Sequence, residues 1–481
     1  MAVAMGENFL VAVNQFGVVL ASGQNDAGQL GLRPTPDVDT NTQQRGLLGA
    51  IEFDFEMNER NAVMVSAGSK HAAFVTRSGS VYIWGNGVDG QRGVGVEGQH
   101  FFRQPIPQLA YNALIGGSRA TMVACGSNHT LLLTASGHVW GCGSNRYFQI
   151  GVQNMDDPLR SLNRNIPVFT MMSSTRFDCG DGDTQIAFIA AGFDHSAAVG
   201  RNNGLLWTWG RGLGGKLGHG DGSSEYYALV PTHLPHETFG EVVVSVFVGN
   251  DITMAVTGSG ALWVCGYSLL GRLGLGDVPR CATFQRVGTA HDFGDGGVRS
   301  VACSRMHSLI VSHDGSVRAC GNHDSCCLGR NTQYKNYTVP TLIDTACFNY
   351  EPVVLVSACG SRSVAVTASG RLYTWGVEAP NKFCGLAYTH EYGTDRGLIQ
   401  WLPRQILHTN IPNQRIDLFG LWQYPLSVDK MLVFAMGTHL RLGTATCYQT
   451  VPHEVLECIW ANCILPGASH LGVGLRNLLG I

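Results

Sequence analysis

One short unit recurs along the chain, and a self-similar period of this length restricts the fold to arrays of supersecondary units that stack on one another. The unit reads as a small residue and Gly, often His three positions on, an alternating apolar run, Gly, a second alternating run, and an aromatic or small residue before a final Gly. The clearest copies are SAGSKHAAFVTRSGSVYIWGNG (66–87), ACGSNHTLLLTASGHVWGCGSN (124–145) and AAGFDHSAAVGRNNGLLWTWGRG (190–212). Alternation with period two marks strands, so each unit is a β-hairpin. The final glycines, Gly23, Gly85, Gly143, Gly210, Gly266, Gly321, Gly376 and Gly437, are separated by 62, 58, 67, 56, 55, 55 and 61 residues, which makes eight units. Several are followed by a second signature, GQLGL at 28–32, GKLGHGD at 215–221 and GRLGLGD at 271–277, in the place of a turn to a further strand.

A sheet of a few short strands cannot bury both of its faces, whereas copies packed radially hide their apolar faces between one another and leave only short edges. The fold class expected is therefore all-β, a β-propeller of seven to eight blades, with residues 1–481 as a single domain. Composition agrees: 62 glycines and only 14% charged residues suit short strands and tight turns, and 44% hydrophobic residues are ample for a core. The segment 466–475, PGASHLGVGL, supplies a ninth G-x-x-H strand, and 411–481 reads as a degenerate last unit with ring-closing strands. That terminal strand is expected to pair with the N-terminal hairpin at 6–23, which tips the count toward eight blades.

The first glycine of each hairpin, as in Gly68, Gly126, Gly192 and Gly467, permits either a close backbone approach or a positive φ. His71, His129, His195, His307 and His470 fall at one repeat position, and a residue recurring once per blade is structural first. A net charge of −3 gives no general attraction to phosphate backbones or acidic membranes. The first twenty residues carry no Lys or Arg and no uncharged apolar run is long enough to span a bilayer, so a cytoplasmic or nuclear location is expected. The 15 cysteines are too dilute for a stapled scaffold and often replace a repeat Trp or Ala, so they read as reduced core thiols.

Three local patterns imitate chemistry. GRGLGGK (210–216) satisfies two phosphate-cradling glycine patterns, but Leu217 stands where a magnesium-binding hydroxyl belongs and no helix-forming run follows. Cys320, His323, Cys326 and Cys327 have zinc-ligand chemistry, yet Cys320 occupies the repeat's Trp position and should point into the blade stack, so no metal is expected. His195 beside Ser196 and His307 beside Ser308 face opposite sides of a strand, and no nucleophile elbow is present, so hydrolytic catalysis is not expected either.

The hairpin with G-x-x-H, the W-G strand end and the G-x-L-G turn together resemble the repeat of the regulator of chromosome condensation family, over essentially the whole chain. The resemblance implies a propeller, usually of seven blades, and its best-known activity is guanine-nucleotide exchange on the small GTPase Ran. Carried over residue by residue, Asp26 in GQNDAGQLG (23–31) matches the acidic position of the family's first-blade turn, and Asp194 in AGFDH matches its fourth-blade aspartate. Two positions depart. Met306 in CSRMH stands where the exchange factor's functional histidine is expected, and the loop SNRYFQIGVQNMDDPLRSLNRNIP (144–167) does not match its GTPase-inserting wedge. A light-sensing role, also present in the family, would need clustered Trp residues, but most of the nine here sit at repeat core positions and the Gly-Trp-Arg-His-Thr motif is absent. The expectation is a non-catalytic, protein-binding scaffold, adaptor or regulator without cofactor, the alternative being an exchange factor for a Ran-type small GTPase. Binding is expected at the insertions 33–62, 88–112, 146–186 and 377–412.

Overall fold

The computed structural model describes residues 2–406 except 33–44, 52–60, 96–103, 112–116, 153–164, 181, 221–225, 324–325, 331–335 and 378–398. The described chain forms seven four-stranded antiparallel sheets. Each is contiguous in sequence and ordered as its strands appear; the first, for example, runs through Ala2–Met5, Phe9–Val13, Val19–Gly23 and Arg45–Ala50. Blades 2 to 7 begin at Ala62, Ala120, Ile186, Val243, Val298 and Val353. First strands of neighbouring blades touch one another, so they line the centre of the ring and the fourth strands lie at its rim.

Of the seven to eight blades expected, the described residues form seven, not the eight toward which the repeat count leans. Blade 7 packs directly on blade 1 through Val364, Val366, Leu372 and Ile406 against Val3, Met5, Leu10 and Ala12. Ser357 Oγ accepts from Met5 N at 3.1 Å, and Arg362 donates to the Glu7 carbonyl and, at 3.0 Å, to Asn8 Oδ1 across the same seam. The hairpin of blade 1 already has Ala2–Met5 on one side and Arg45–Ala50 on the other, so both edges expected to receive a C-terminal strand are filled from the N-terminal segment. The eighth unit marked by Gly437, and Gly467 and His470, lie outside the described residues.

The glycine ending each third strand proves to be the hinge of the blade. Gly23, Gly85, Gly143, Gly210, Gly266, Gly321 and Gly376 have φ between +94° and +121°. Each sits where the register to the fourth strand shifts, so it is the residue of a β-bulge that turns the chain outward. A side chain there would also collide with the second strand: a Cβ on Gly143 would stand 2.5 Å from Asn128 O and 2.7 Å from the His129 Cα. The other recurring glycines serve close approach instead of positive φ, because a Cβ on Gly68, Gly126 or Gly192 would lie 2.2, 2.5 or 2.4 Å from the carbonyl oxygen of the equivalent glycine one blade on.

Replacing Gly143 with Ala is therefore expected to destabilise the fold by about 2–4 kcal/mol, through left-handed strain plus backbone displacement. Gly258→Ala, at an ordinary φ with its nearest neighbour 3.4 Å away, should cost under about 1 kcal/mol. Urea denaturation of the two variants checks the contrast.

Candidate functional face

The histidine of each G-x-x-H turn opens the second strand and pairs with the bulge glycine that closes the third, as His71 with Gly85, His129 with Gly143, His195 with Gly210 and His307 with Gly321. The turns before the histidines and those after the glycines consequently emerge at the same end of every blade and share one face of the ring.

None of these histidines is exposed on that face. His71 Nε2 lies 3.0 Å from Thr130 Oγ1, His129 Nε2 3.0 Å from Ser196 Oγ, His195 Nε2 2.9 Å from Thr253 Oγ1 and His307 Nε2 2.6 Å from Ser363 Oγ, always one blade onward. Each hydroxyl donates in turn to a carbonyl in the G-x-L-G turn of the histidine's own blade: Thr130 to Gln91, Ser196 to Gln149, Thr253 to Lys216 and Ser363 to Cys327, at 2.6–2.9 Å. With its single proton given to the carbonyl, the hydroxyl must accept from imidazole, which fixes the proton on Nε2. The same carbonyls receive Trp209 Nε1 (2.9 Å) at Gln149 and Trp375 Nε1 (2.8 Å) at Cys327, while Cys142 and Cys265 thiols reach Gln91 and Lys216 at 3.5 and 3.4 Å.

The histidine–serine proximity is thus a bond between blades with its hydroxyl proton already committed, which is no arrangement for activating a nucleophile. Burial pushes His71, His129 and His307 down to about 3 and holds His195 well below the ordinary value, with the nearby Lys216 charge adding to the effect.

The two acidic candidates part company. Asp26 is partly exposed and bonded to Gln29 Nε2 at 2.8 Å and Lys70 Nζ at 2.7 Å, in the turn where its motif predicts it. Asp194 is buried, with 3% of its side chain exposed. Its carboxylate meets Lys216 Nζ at 2.5 Å, Arg211 Nη1 at 3.4 Å and His195 Nδ1 at 3.9 Å. Lys216 also contacts Asp251 Oδ1 at 3.3 Å, whose Oδ2 contacts Arg272 at 3.3 Å, so alternating charges cross from blade 4 into blade 5. Asp251, with 36% of its side chain exposed, was not singled out by motif, although it precedes the repeat position of His195 by one residue just as Asp194 does.

Lys216, the cation of the phosphate-cradle pattern, is fully buried between these carboxylates, and the chain after it enters a turn and then a strand. In the zinc-like set, the Cys320 thiol points to Arg272 O in the neighbouring blade and the Cys327 thiol to Asn322 O at 3.1 Å. Burial raises the Cys320 and Cys326 thiols to about 12 and 11. No group of three or more metal-ligating side chains forms among the described residues, whose eleven cysteines are all free thiols. Much of the four insertions expected to bind lies outside the described residues.

The chain is similar in sequence to several known proteins and in fold to solved structures. The sequence profile of the RCC1-like domain matches residues 1–290. The ultraviolet-B receptor UVR8 of Arabidopsis thaliana is 28% identical over 376 residues, which cover 78% of this chain and 76% of the receptor. The human E3 ubiquitin-protein ligase HERC2 is 28% identical over 365 residues, 76% of this chain but only 7% of the ligase. Among solved structures, Prp20p of Saccharomyces cerevisiae, described with its binding to Gsp1p and histones, aligns with a TM-score of 0.65 at 19% identity, over 83% of this chain and 87% of Prp20p. At that identity the structural likeness speaks for the fold.

The buried histidines carry a pH signature. Their folded pKa lies far below the ordinary value, so the unfolded chain binds more protons below pH ~6.5; stability is full above that value and falls as pH drops toward ~3. Urea midpoints measured from pH ~7.5 to ~5 should decline, and His129→Gln should flatten the decline by about one proton's worth. A midpoint independent of pH over this range would contradict the neutral, buried assignment.

Proposed function

The chain belongs to the RCC1-like domain family, and from that membership we propose that it is a non-catalytic, protein-binding propeller whose partner docks on the face bearing the G-x-x-H turns. The observation that carries this reading is the division of labour on that face. Histidines, hydroxyls and thiols are consumed in joining blades, while the groups left at the surface, Asp26, Asp251, Phe193, Tyr267 and Arg305, are those of a contact surface. A ring held by buried bonds offers them on a rigid support, which lowers the entropic cost of binding. The role is that of a scaffold, adaptor or regulator. Residence in the cytoplasm or nucleus goes with it, and no helix among the described residues is long and apolar enough to cross a membrane.

Guanine-nucleotide exchange on a Ran-type GTPase is the second reading, favoured by Asp26, which is accessible on the same face, and by the likeness to Prp20p, described with its binding to Gsp1p. Exchange needs no covalent chemistry. A propeller that binds the nucleotide-free GTPase more tightly than the loaded one weakens nucleotide binding by the same factor. Asp194 enters this reading only through the fold, since its carboxylate is enclosed by Lys216 and Arg211. Truncating it would leave the Lys216 ammonium buried with one carboxylate fewer.

Release of a fluorescent guanine nucleotide from a Ran-type GTPase tests the choice. Acceleration reduced about tenfold or more by Asp26→Ala would establish exchange through this face. Absence of acceleration at saturating protein would exclude Ran exchange and leave the scaffold reading.

A further inference from the structure

The alternating charges of blades 4 and 5 stop abruptly at Arg272, whose side chain is buried while nearby Arg305 is exposed and Met306 partly exposed. In blade 4 the residue before the histidine position is Asp194 and in blade 5 it is Asp251, and each carboxylate contacts the turn cation of its own blade, Lys216 or Arg272. Asp251 also reaches back to Lys216, so Lys216 meets a carboxylate from its own blade and one from the next. Arg272 has only the first. The equivalent residue of blade 6 is Met306, and Arg272 turns instead to main-chain oxygens, donating from Nη1 to the Arg305 carbonyl and from Nε to that of Tyr267 at 2.9 Å. Burial pulls the Arg272 guanidinium below its ordinary value, and Asp251 offsets that only in part.

Beside this gap stands a further cation. Arg305 is exposed, and among the described residues its guanidinium has no ion-pair partner. In this charged cluster of described residues, Arg211, Lys216, Arg272 and Arg305 outnumber Asp194 and Asp251 by two charges, although the whole chain is net −3. Apolar surface borders it: Phe193, Tyr267 and Leu270 are 48%, 45% and 39% exposed. Leu270 is held at φ +55°, in the left-handed region, where the corresponding residue of blade 4 is Gly214 at φ +75°. An exposed leucine in that conformation has a local cost that folding does not require, since glycine serves the same turn one blade earlier.

We propose that the sector of blades 5 and 6 formed by Tyr267, Leu270, Arg305 and Met306 docks an acidic, apolar-flanked segment of a partner protein, whose carboxylate takes over Met306 the place that Asp194 and Asp251 hold in the preceding blades. The proposal rests on the protein-docking reading above and gives the chemistry of one partner segment. Charge complementarity selects the occupant: Arg305 without a carboxylate, beside Arg272 with one where Lys216 has two, calls for carboxylate, and the bordering Tyr267 and Leu270 call for an apolar neighbour on it.

The probe is a fluorescein-labelled, amidated peptide of sequence Glu-Leu-Glu-Phe-Glu, titrated into the full chain at low salt and followed by anisotropy, beside its Gln-for-Glu counterpart. Saturable binding is expected for the acidic peptide, weakened by added salt and about tenfold or more weaker for the Gln peptide and for the Arg305→Glu and Met306→Asp variants. Arg119→Glu, exposed on the opposite face, should bind as the unmodified chain does. A fold-level readout stands beside this: Met306→Asp supplies the missing carboxylate and should raise the thermal midpoint, while Met306→Leu should leave it unchanged. Lack of binding by the unmodified chain, equal loss in Arg305→Glu and Arg119→Glu, equal binding of the Gln peptide, or no gain in midpoint for Met306→Asp would each overturn the proposal. None of these results bears on docking at Asp26, which the nucleotide-release measurement reads separately.

Discussion

One main-chain carbonyl per turn holds the ring together. In the G-x-L-G turns the carbonyls of Gln91, Gln149, Lys216, Arg272 and Cys327 each accept a hydroxyl from the blade that follows. Gln149 and Cys327 accept an indole N–H as well, and Gln29 takes the indole of Trp84 alone. A buried carbonyl or hydroxyl left without its partner costs about 1–3 kcal/mol, so successive blades are tied by bonds that are expensive to break. The repeat consequently conserves donor and acceptor roles while residue identity varies, with Trp209 and Trp375 doing in two blades what Cys142, Cys265 and Cys320 do in three.

The histidines add a second layer where they occur, and three junctions go without. The second strand opens with Phe9 in blade 1, Ile252 in blade 5 and Arg362 in blade 7. At the blade 5–6 junction Ser308 still binds the Arg272 carbonyl at 2.8 Å. At the closing seam Leu10 has no hydroxyl to offer, and Arg362 reaches directly to Glu7 and Asn8 instead. The ring is closed by apolar packing, the Arg362 guanidinium and the bond from Met5 N to Ser357 Oγ, with each end blade built from its own stretch of chain. Rigidity acquired this way does not draw on the exposed side chains of the turn-bearing face, because the histidine Nε2 atoms, hydroxyls and indoles beneath it bond to one another and to main-chain carbonyls.

Much of this was legible in the sequence. The hairpin alternation, the recurring histidine and the spaced glycines identified blades, their handover points and the all-β ring, because each is a local requirement repeated once per blade. The sequence did not directly reveal partners drawn from separate turns, within a blade or across two. Asp194 and Lys216 are 22 residues apart and Lys216 and Asp251 are 35 apart, so the motif marks Asp194 as the counterpart of the family's fourth-blade aspartate without showing the cations that enclose it. A signal was present: aligning the turns sets Lys216 and Arg272 against Gln29, Gln91 and Gln149, and aligning the G-x-x-H turns sets Asp194 and Asp251 against Asn8, Lys70 and Asn128. Cations and acids change together in the same blades, which is the mark of an ion pair. The lean toward the upper end of seven to eight blades has a related cause, since a repeat-like glycine at 437 cannot show which edges of blade 1 are already occupied.

The most direct test of the blade-joining bond is a double-mutant cycle between His129 and Ser196, using His129→Ala, Ser196→Ala and the double variant in urea denaturation. The bond requires the two single losses to overlap, with a coupling energy of about 1 kcal/mol or more. Losses that add to within about 0.3–0.5 kcal/mol would contradict it, and with it the claim that histidine, hydroxyl and carbonyl act as one unit between blades.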